Sequence, residues 1–211
     1  MRFVKAVSGS CALMAFLAAS SPATAEWRTE KLRGDFAIIG DNVCVNSLAT
    51  STQPPAGFTN LAPNTGTPIS VSSNSFNGVI TFNGDGTAAF AGRFVTLGHP
   101  GAAGAVDATA PSTYSVAADR TLTFVNGPSV STSVAGPASG QVTSVSDVPP
   151  LIGRVSSDGD SITLGSFNPG VETLTQLVPN PGLVTSVRIC HRAYSGIRIG
   201  KKPRSFGKDD D

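Results

Sequence analysis

The stretch Phe76-Asn77-Gly78-Val79-Ile80-Thr81-Phe82, then Asn83-Gly84-Asp85-Gly86, then Thr87-Ala88-Ala89-Phe90-Ala91-Gly92-Arg93-Phe94-Val95 reads as a β-hairpin. Asn-Gly and Asp-Gly supply the positive φ angles that a tight turn needs. Phe76, Gly78, Ile80 and Phe82 fall on one face of the first arm, and Phe90 and Phe94 on one face of the second. Such alternation marks half-buried antiparallel strands, with one aromatic face turned inward.

Working outward, the same pattern recurs. Gly34 to Gly40 forms a first strand that resumes after a kink through Val43-Cys44-Val45, and Trp27 to Leu32 before it can make one short helical turn. The Pro-, Thr- and Asn-rich segment from Ala49 to Thr67 is a long surface loop. Further strands are expected at Ser112–Val116, Thr121–Val125, Val130–Val134, Gln141–Val145, Leu151–Val155, Ser161–Gly165, Val171–Val178 and Thr185–Arg192, with Pro149-Pro150 interrupting the series. About eight to ten short strands without a helix between them argue for an all-β domain, a sandwich or an up-and-down barrel. No long repeat is present, which argues against a propeller or solenoid.

The N-terminus has the layout of a secretory leader. Met1-Arg2-Phe3-Val4-Lys5 is a basic start, Cys11 to Ala19 an apolar core, and Ala23-Thr24-Ala25 a cleavage site. The apolar run is shorter than the ~20 residues a spanning helix needs, and the residues around Cys11 do not form a lipoprotein signal. The expected division is a signal peptide over 1–25, a β domain over 26–196 and a flexible basic and acidic tail over 197–211. A leader of this style points to a bacterial Sec substrate, periplasmic or secreted. The formal charge of +1 contains Arg2 and Lys5, so the chain from Glu26 carries −1. A near-neutral domain with 14% charged residues has no global attraction for nucleic acid or anionic membrane.

With Cys11 removed, Cys44 and Cys190 remain, one in the first strand and one in the last. A bridge between them is the leading reading, with free thiols or an intermolecular pair as alternatives. It would put first and last strands side by side, which favours a closed barrel over a sandwich. Two histidines, His99 and His191, and no CxxC spacing argue against a metal site, and no cofactor motif is present.

Leu32-Arg33-Gly34-Asp35-Phe36 resembles the opening of the lipocalin and calycin barrels, which begin with a short turn and G-x-W; Phe36 stands where tryptophan would be. A late basic residue covers the closed end of such barrels, and Arg188 or Arg192 could match it. Thr81-Phe82-Asn83-Gly84-Asp85-Gly86-Thr87 and Arg188-Ile189-Cys190-His191-Arg192 are similar to blocks of uncharacterised exported bacterial lipocalin-like proteins. The resemblance implies a single antiparallel up-and-down barrel and no particular activity.

Other motifs read as turns or chance. Gly159-Asp160-Ser161-Ile162 resembles the GDS block of GDSL esterases, but it falls in a hairpin and no Asp precedes either histidine by three residues. No G-x-S-x-G elbow exists. Asn83-Gly84-Asp85-Gly86 and Asp158-Gly159-Asp160 lack the spaced oxygen ligands of a calcium loop, and Arg33-Gly34-Asp35 lies at a strand start. His191 should face away from a bridged Cys190, since neighbouring strand residues point to opposite faces.

The leading functional expectation is a non-enzymatic exported barrel that binds a small apolar or amphipathic ligand. Candidate cavity-lining residues are Phe36, Ile38, Phe82, Phe90, Phe94, Phe124 and Leu164. One alternative is a structural or interaction protein of the cell envelope. It would meet anionic envelope polymer through the C-terminal cations Arg188, Arg192, Arg198, Lys201, Lys202, Arg204 and Lys208. The other is a barrel-type cyclase or isomerase, which requires polar groups converging inside, with Glu172, Tyr114 or His99 pointing inward.

Overall fold

A computed structural model describes residues 27–49, 57–98 and 103–200. The expected leader, His99, and the tail from Lys201 onward lie outside the described residues. A single 3-10 turn, Thr29–Lys31, precedes β1 (Arg33–Leu48). A two-residue hairpin, β2 (Phe58–Thr59) and β3 (Ala62–Pro63), sits in the expected long loop. Four long strands follow from the same side of the chain's middle and its end: β4 (Ile69–Asn83), β5 (Thr87–Gly98), β6 (Ala103–Val116) and, last, β13 (Leu183–Ile199). Between β6 and β13 run six short ones: β7 (Thr121–Asn126), β8 (Ser129–Ala135), β9 (Val142–Ser146), β10 (Leu151–Val155), β11 (Ser161–Ser166) and β12 (Val171–Val178).

All but β2 and β3 belong to one antiparallel sheet of 11 strands, and pairing of β1 with β13 closes it as a ring of eight. The six short strands fill three ring positions in pairs. β7 and β8 both run along β6, on its later and earlier halves respectively. β10 pairs with β7 and β9 with β8, while β11 and β12 both lie on β13. Each pair is thus one strand broken at mid-height, by Gly127-Pro128, by Pro149-Pro150 and by Pro169-Gly170. Proline has no N–H to give to a ladder and so favours a break in a strand, although β6 runs on through Pro111, which stays in register with Ala89. The breaks lie side by side: a Cβ on Gly170 would meet Pro149 Cγ at 2.5 Å, and Leu151 pairs with Phe124 and Val145 with Ser129 on either side of the other two breaks.

The expected strands are present: β10 and β12 have the expected bounds, β9 is shifted by one residue, and the others are longer. β4 begins at Ile69 and β6 at Ala103, because the Ser- and Ala-rich segments before Phe76 and Ser112 carry little apolar alternation yet pair fully with β1 and β5. The last strand passes the expected domain boundary at 196. Ile197 and Arg198 pair with Ala37 and Phe36, so the start of the supposed tail belongs to the sheet.

Parity is uniform through β1, β4, β5, β6 and β13: even-numbered side chains point into the ring. At the end where the 3-10 turn lies, the interior is packed. Leu32, Phe36, Phe82, Leu122 and Phe124 are fully buried, with Phe36 and Phe82 edge to face at 5.3 Å and Phe82 and Tyr114 at 4.7 Å. The Tyr114 hydroxyl donates to Leu32 O at 2.6 Å and accepts from Gly84 N–H at 3.0 Å, tying this end to the β4–β5 turn. Arg198 lies over the Phe36 ring at 4.7 Å. It donates to Asp160 Oδ1 (3.0 Å), to Gly159 O (2.8 Å) and to Arg33 O. The Gly159-Asp160-Ser161 block is therefore a β10–β11 turn that anchors Arg198, while Trp27 packs against Gly159. At mid-height the Phe76 ring lies flat on the facing Gly78 and Gly92, where any Cβ would come within 2.4 Å of it.

Cys44 and Cys190 are directly opposite in the β1–β13 register and are bridged, with both residues buried. His191 is exposed, on the other face. The bridge closes a loop of sequence separation 146. Replacing both cysteines by serine should lower unfolding free energy by about 2–5 kcal/mol, read as a reduced urea midpoint with a larger m-value, because the unlinked unfolded chain exposes more surface.

Candidate functional site

Above the packed end, the interior turns polar. β1 places Asn42 and Asn46 inward, β4 places Ser72 and Asn74, β5 places Thr96, β12 places Glu172 and Gln176, and β13 places Ser186, Arg188, Arg192 and Tyr194. Register makes a row of them: Thr96, Asn74, Asn42 and Arg192 are successive cross-strand partners. Thr96 Oγ1 donates to Asn74 Oδ1 at 2.5 Å, and Asn74 Nδ2 donates to Asn42 Oδ1. One level higher, Asn46 Nδ2 donates to Ser72 Oγ at 3.2 Å.

At the centre of this polar wall, Glu172 holds two arginines. It faces Arg188 in the β12–β13 register, and Arg188 Nε donates to its Oε2 at 2.9 Å. Arg192, two inward positions along β13, makes a close ion pair with Oε1. Cys190 lies between the two arginines, with its Sγ 3.9 Å from Glu172 Oε2. Burial pushes the Glu172 pKa up, but the Arg188 and Arg192 charges and hydrogen bonds outweigh it and hold the carboxyl below its ordinary range. Burial likewise disfavours charged Arg192, and Glu172 more than compensates. The Tyr194 hydroxyl is pushed up by burial, against the pull of the Arg192 charge and the Asn42 amide.

A cavity of about 320 Å³ lies inside the ring between the packed end and this wall. Its apolar side is built by Ile38, Ile80, Phe90, Phe94, Phe124 and Leu164, and its polar side by Asn42, Asn74, Arg188, Arg192 and Tyr194. A second polar strip comes from Ser129, Ser131 and Ser133, the inward row of β8. Asn126, Ser129, Val148 and Leu151, which flank two of the proline breaks, also face it. The volume is at the lower end of small-molecule pockets, about 300–1,000 Å³.

Of the seven residues expected to line a cavity, Ile38, Phe90, Phe94, Phe124 and Leu164 do so. Phe36 and Phe82 do not: they are fully buried in the packed end, beneath Arg198 and beside Tyr114. Glu172 points inward, so polar groups do converge inside the ring, although Tyr114 is committed to the packed end. Arg188, Arg192 and Arg198, counted above among the C-terminal cations, lie on the inner face of β13. They are even-numbered residues of a strand whose even face is the interior, and each is tied to a carboxylate. The residue that covers the packed end is Arg198, not Arg188 or Arg192. The polar wall had one signal in the sequence: if Cys190 faces inward, Arg188, Arg192 and Tyr194 must do so too.

Among the described residues no group of acidic, histidine or cysteine side chains is arranged to hold a metal ion, and no helix is long and apolar enough to cross a membrane. Comparison of the chain with protein-family models, with curated proteins and with solved structures gives no match.

The Glu172 cluster makes stability depend on acid. A folded-state pKa below the unfolded value, about 4.3 for a free Glu, means the unfolded chain binds more protons in that window. The contribution is therefore complete above about pH 4.3 and is lost as pH falls through the lower folded value. Glu172→Gln should flatten this acid limb of a urea-stability profile between pH 3 and 7. At neutral pH it should cost about 3–5 kcal/mol, because the buried Arg192 and the partly buried Arg188 lose their counter-charge.

Proposed function

We propose that this protein is an exported, lipocalin-like β-barrel whose task is to hold one small amphipathic molecule inside the ring. The observation that carries the reading is the 320 Å³ cavity whose lining combines the apolar Ile38, Phe90, Phe94, Phe124 and Leu164 with the polar Asn42, Asn74, Arg188, Arg192 and Tyr194. Small barrels either fill with side chains or hold one ligand, and this interior is filled at one end only. A short turn before Gly34, Phe36 in place of tryptophan, and Arg198 stacked over it support the calycin-type assignment. The Cys44–Cys190 bridge fits an oxidising, extracytoplasmic compartment, which agrees with the leader read in residues 1–25.

The same geometry weighs against a cyclase or isomerase that works by proton transfer. A carboxylate held low by two arginines has little affinity for a proton, so Glu172 is a poor general base. An envelope interaction role has one observation in its favour. Val171, Ile189, Val45 and Val71 form an aliphatic row on the outer face of four neighbouring strands.

The binding reading is tested by native mass spectrometry on the mature, bridged chain, alone and with 1-octanol as a neutral amphiphile. A discrete 1:1 adduct that disappears on denaturation is the expected result. Ala108→Phe, which fills the cavity from β6, should weaken octanol binding at least tenfold and leave the urea midpoint near that of the parent. If the parent takes up no octanol and carries no other adduct, the cavity reading fails and the interaction reading leads.

A further inference from the structure

The cavity has an unbalanced charge. Among the described residues its lining contains two arginines and no acidic residue; Glu172 contacts both guanidiniums but is not part of the lining. The other groups facing the same space, among them Asn42, Asn74, Asn126, Gln141 and Tyr194, are amides, hydroxyls or apolar. The carboxylates of the neighbouring outer positions, Asp41 and Asp107, point outward, and Asp107 is paired with Arg93. One carboxylate thus serves two guanidiniums, and the interior retains one positive charge. Arg192 has only 7% of its side chain exposed and Arg188 21%, so water neutralises this surplus poorly. A buried charge without a partner is costly unless an anion joins it.

Resting on the cavity reading, we propose that the molecule held there is a monoanionic amphiphile. Its carboxylate-type head sits against Arg188 and Arg192 and its short apolar tail against Phe90, Phe94 and Leu164. The guanidinium fork matches a planar two-oxygen anion. At ~30 Å³ per water-sized group, 320 Å³ accommodates about ten such groups, the size of an eight-carbon acid. One added negative charge completes a two-to-two cluster and leaves no buried charge unpaired.

Calorimetric titration of the mature chain with octanoate, 1-octanol, octylamine and acetate at pH 7 tests this. Octanoate should bind about ten- to hundredfold more tightly than octanol, the scale of one charge-assisted hydrogen-bonded pair. Octylamine should be weakest of the eight-carbon series, and acetate far weaker than octanoate. Arg188→Met leaves Glu172 balanced by Arg192 alone, so it should bring octanoate down to the octanol level without changing octanol. Glu172→Gln, if it folds, should tighten octanoate; if it does not fold, Arg188→Met still decides. Equal binding of octanol and octanoate, preference for octylamine, acetate as tight as octanoate, or an unaltered octanoate affinity in Arg188→Met would each overturn the charge inference while leaving the cavity reading standing. Failure of every eight-carbon probe would overturn both.

Discussion

The pairing of β1 with β13 in a register that sets Cys44 opposite Cys190 is the constraint on which the rest of the molecule depends. It closes the sheet, so no long strand has an unpaired edge, and it fixes parity. Because strand side chains alternate with a period of two, a slip of one residue would exchange the inside and the outside of every position on β13. Arg188, Arg192, Tyr194 and Arg198 would then face outward and His191 inward. The bridge pins the register covalently at mid-strand, in the place where the polar wall is built.

The interior divides into two regimes along the same strands. At one end, aromatic rings fill the space and Arg198 covers them, its charge met by Asp160 and by backbone carbonyls. At the other, the inward residues of β1, β4 and β5 change from Phe, Ile and Gly to Asn, Ser and Thr. Polar side chains in that region cannot pack as tightly as apolar ones without satisfying their hydrogen bonds, and they do so along cross-strand rows. The proline breaks in three neighbouring strands lie at the level where the two regimes meet, and residues that flank two of them face the cavity. Strand continuity is given up there, and space is left at the same height.

Much of the architecture was legible in the chain. Phe76 to Val95 gave the hairpin, its turn and its inward face correctly, because turn chemistry and alternation are local properties. The proline and glycine breaks were also local, but their meaning was not: Pro149-Pro150 read as the end of a strand, whereas it divides one ring position into two. The beginnings of β4 and β6 were missed because serine and alanine carry no alternation signal, and neighbouring strands decide their conformation. Phe36 and Phe82 were grouped with cavity residues since nothing local separates an aromatic in a packed end from one in a wall. The clustering of basic residues near the end of the chain is visible in sequence, but the direction of each side chain depends on register, and Arg198, placed by the sequence in the tail, belongs to the last strand.

By itself, the sequence determined the all-β class, the positions of most strands and the candidate bridge, since each rests on neighbouring residues or on simple composition. Only the tertiary structure decided which wall is polar, where the cavity lies, and that Glu172 serves two arginines at once. Those facts depend on residues 16 to 20 positions apart in the chain meeting across a ladder, and on the sum of charges in a closed space. A linear sequence shows the number of charges, but the ring determines which of them must share a partner.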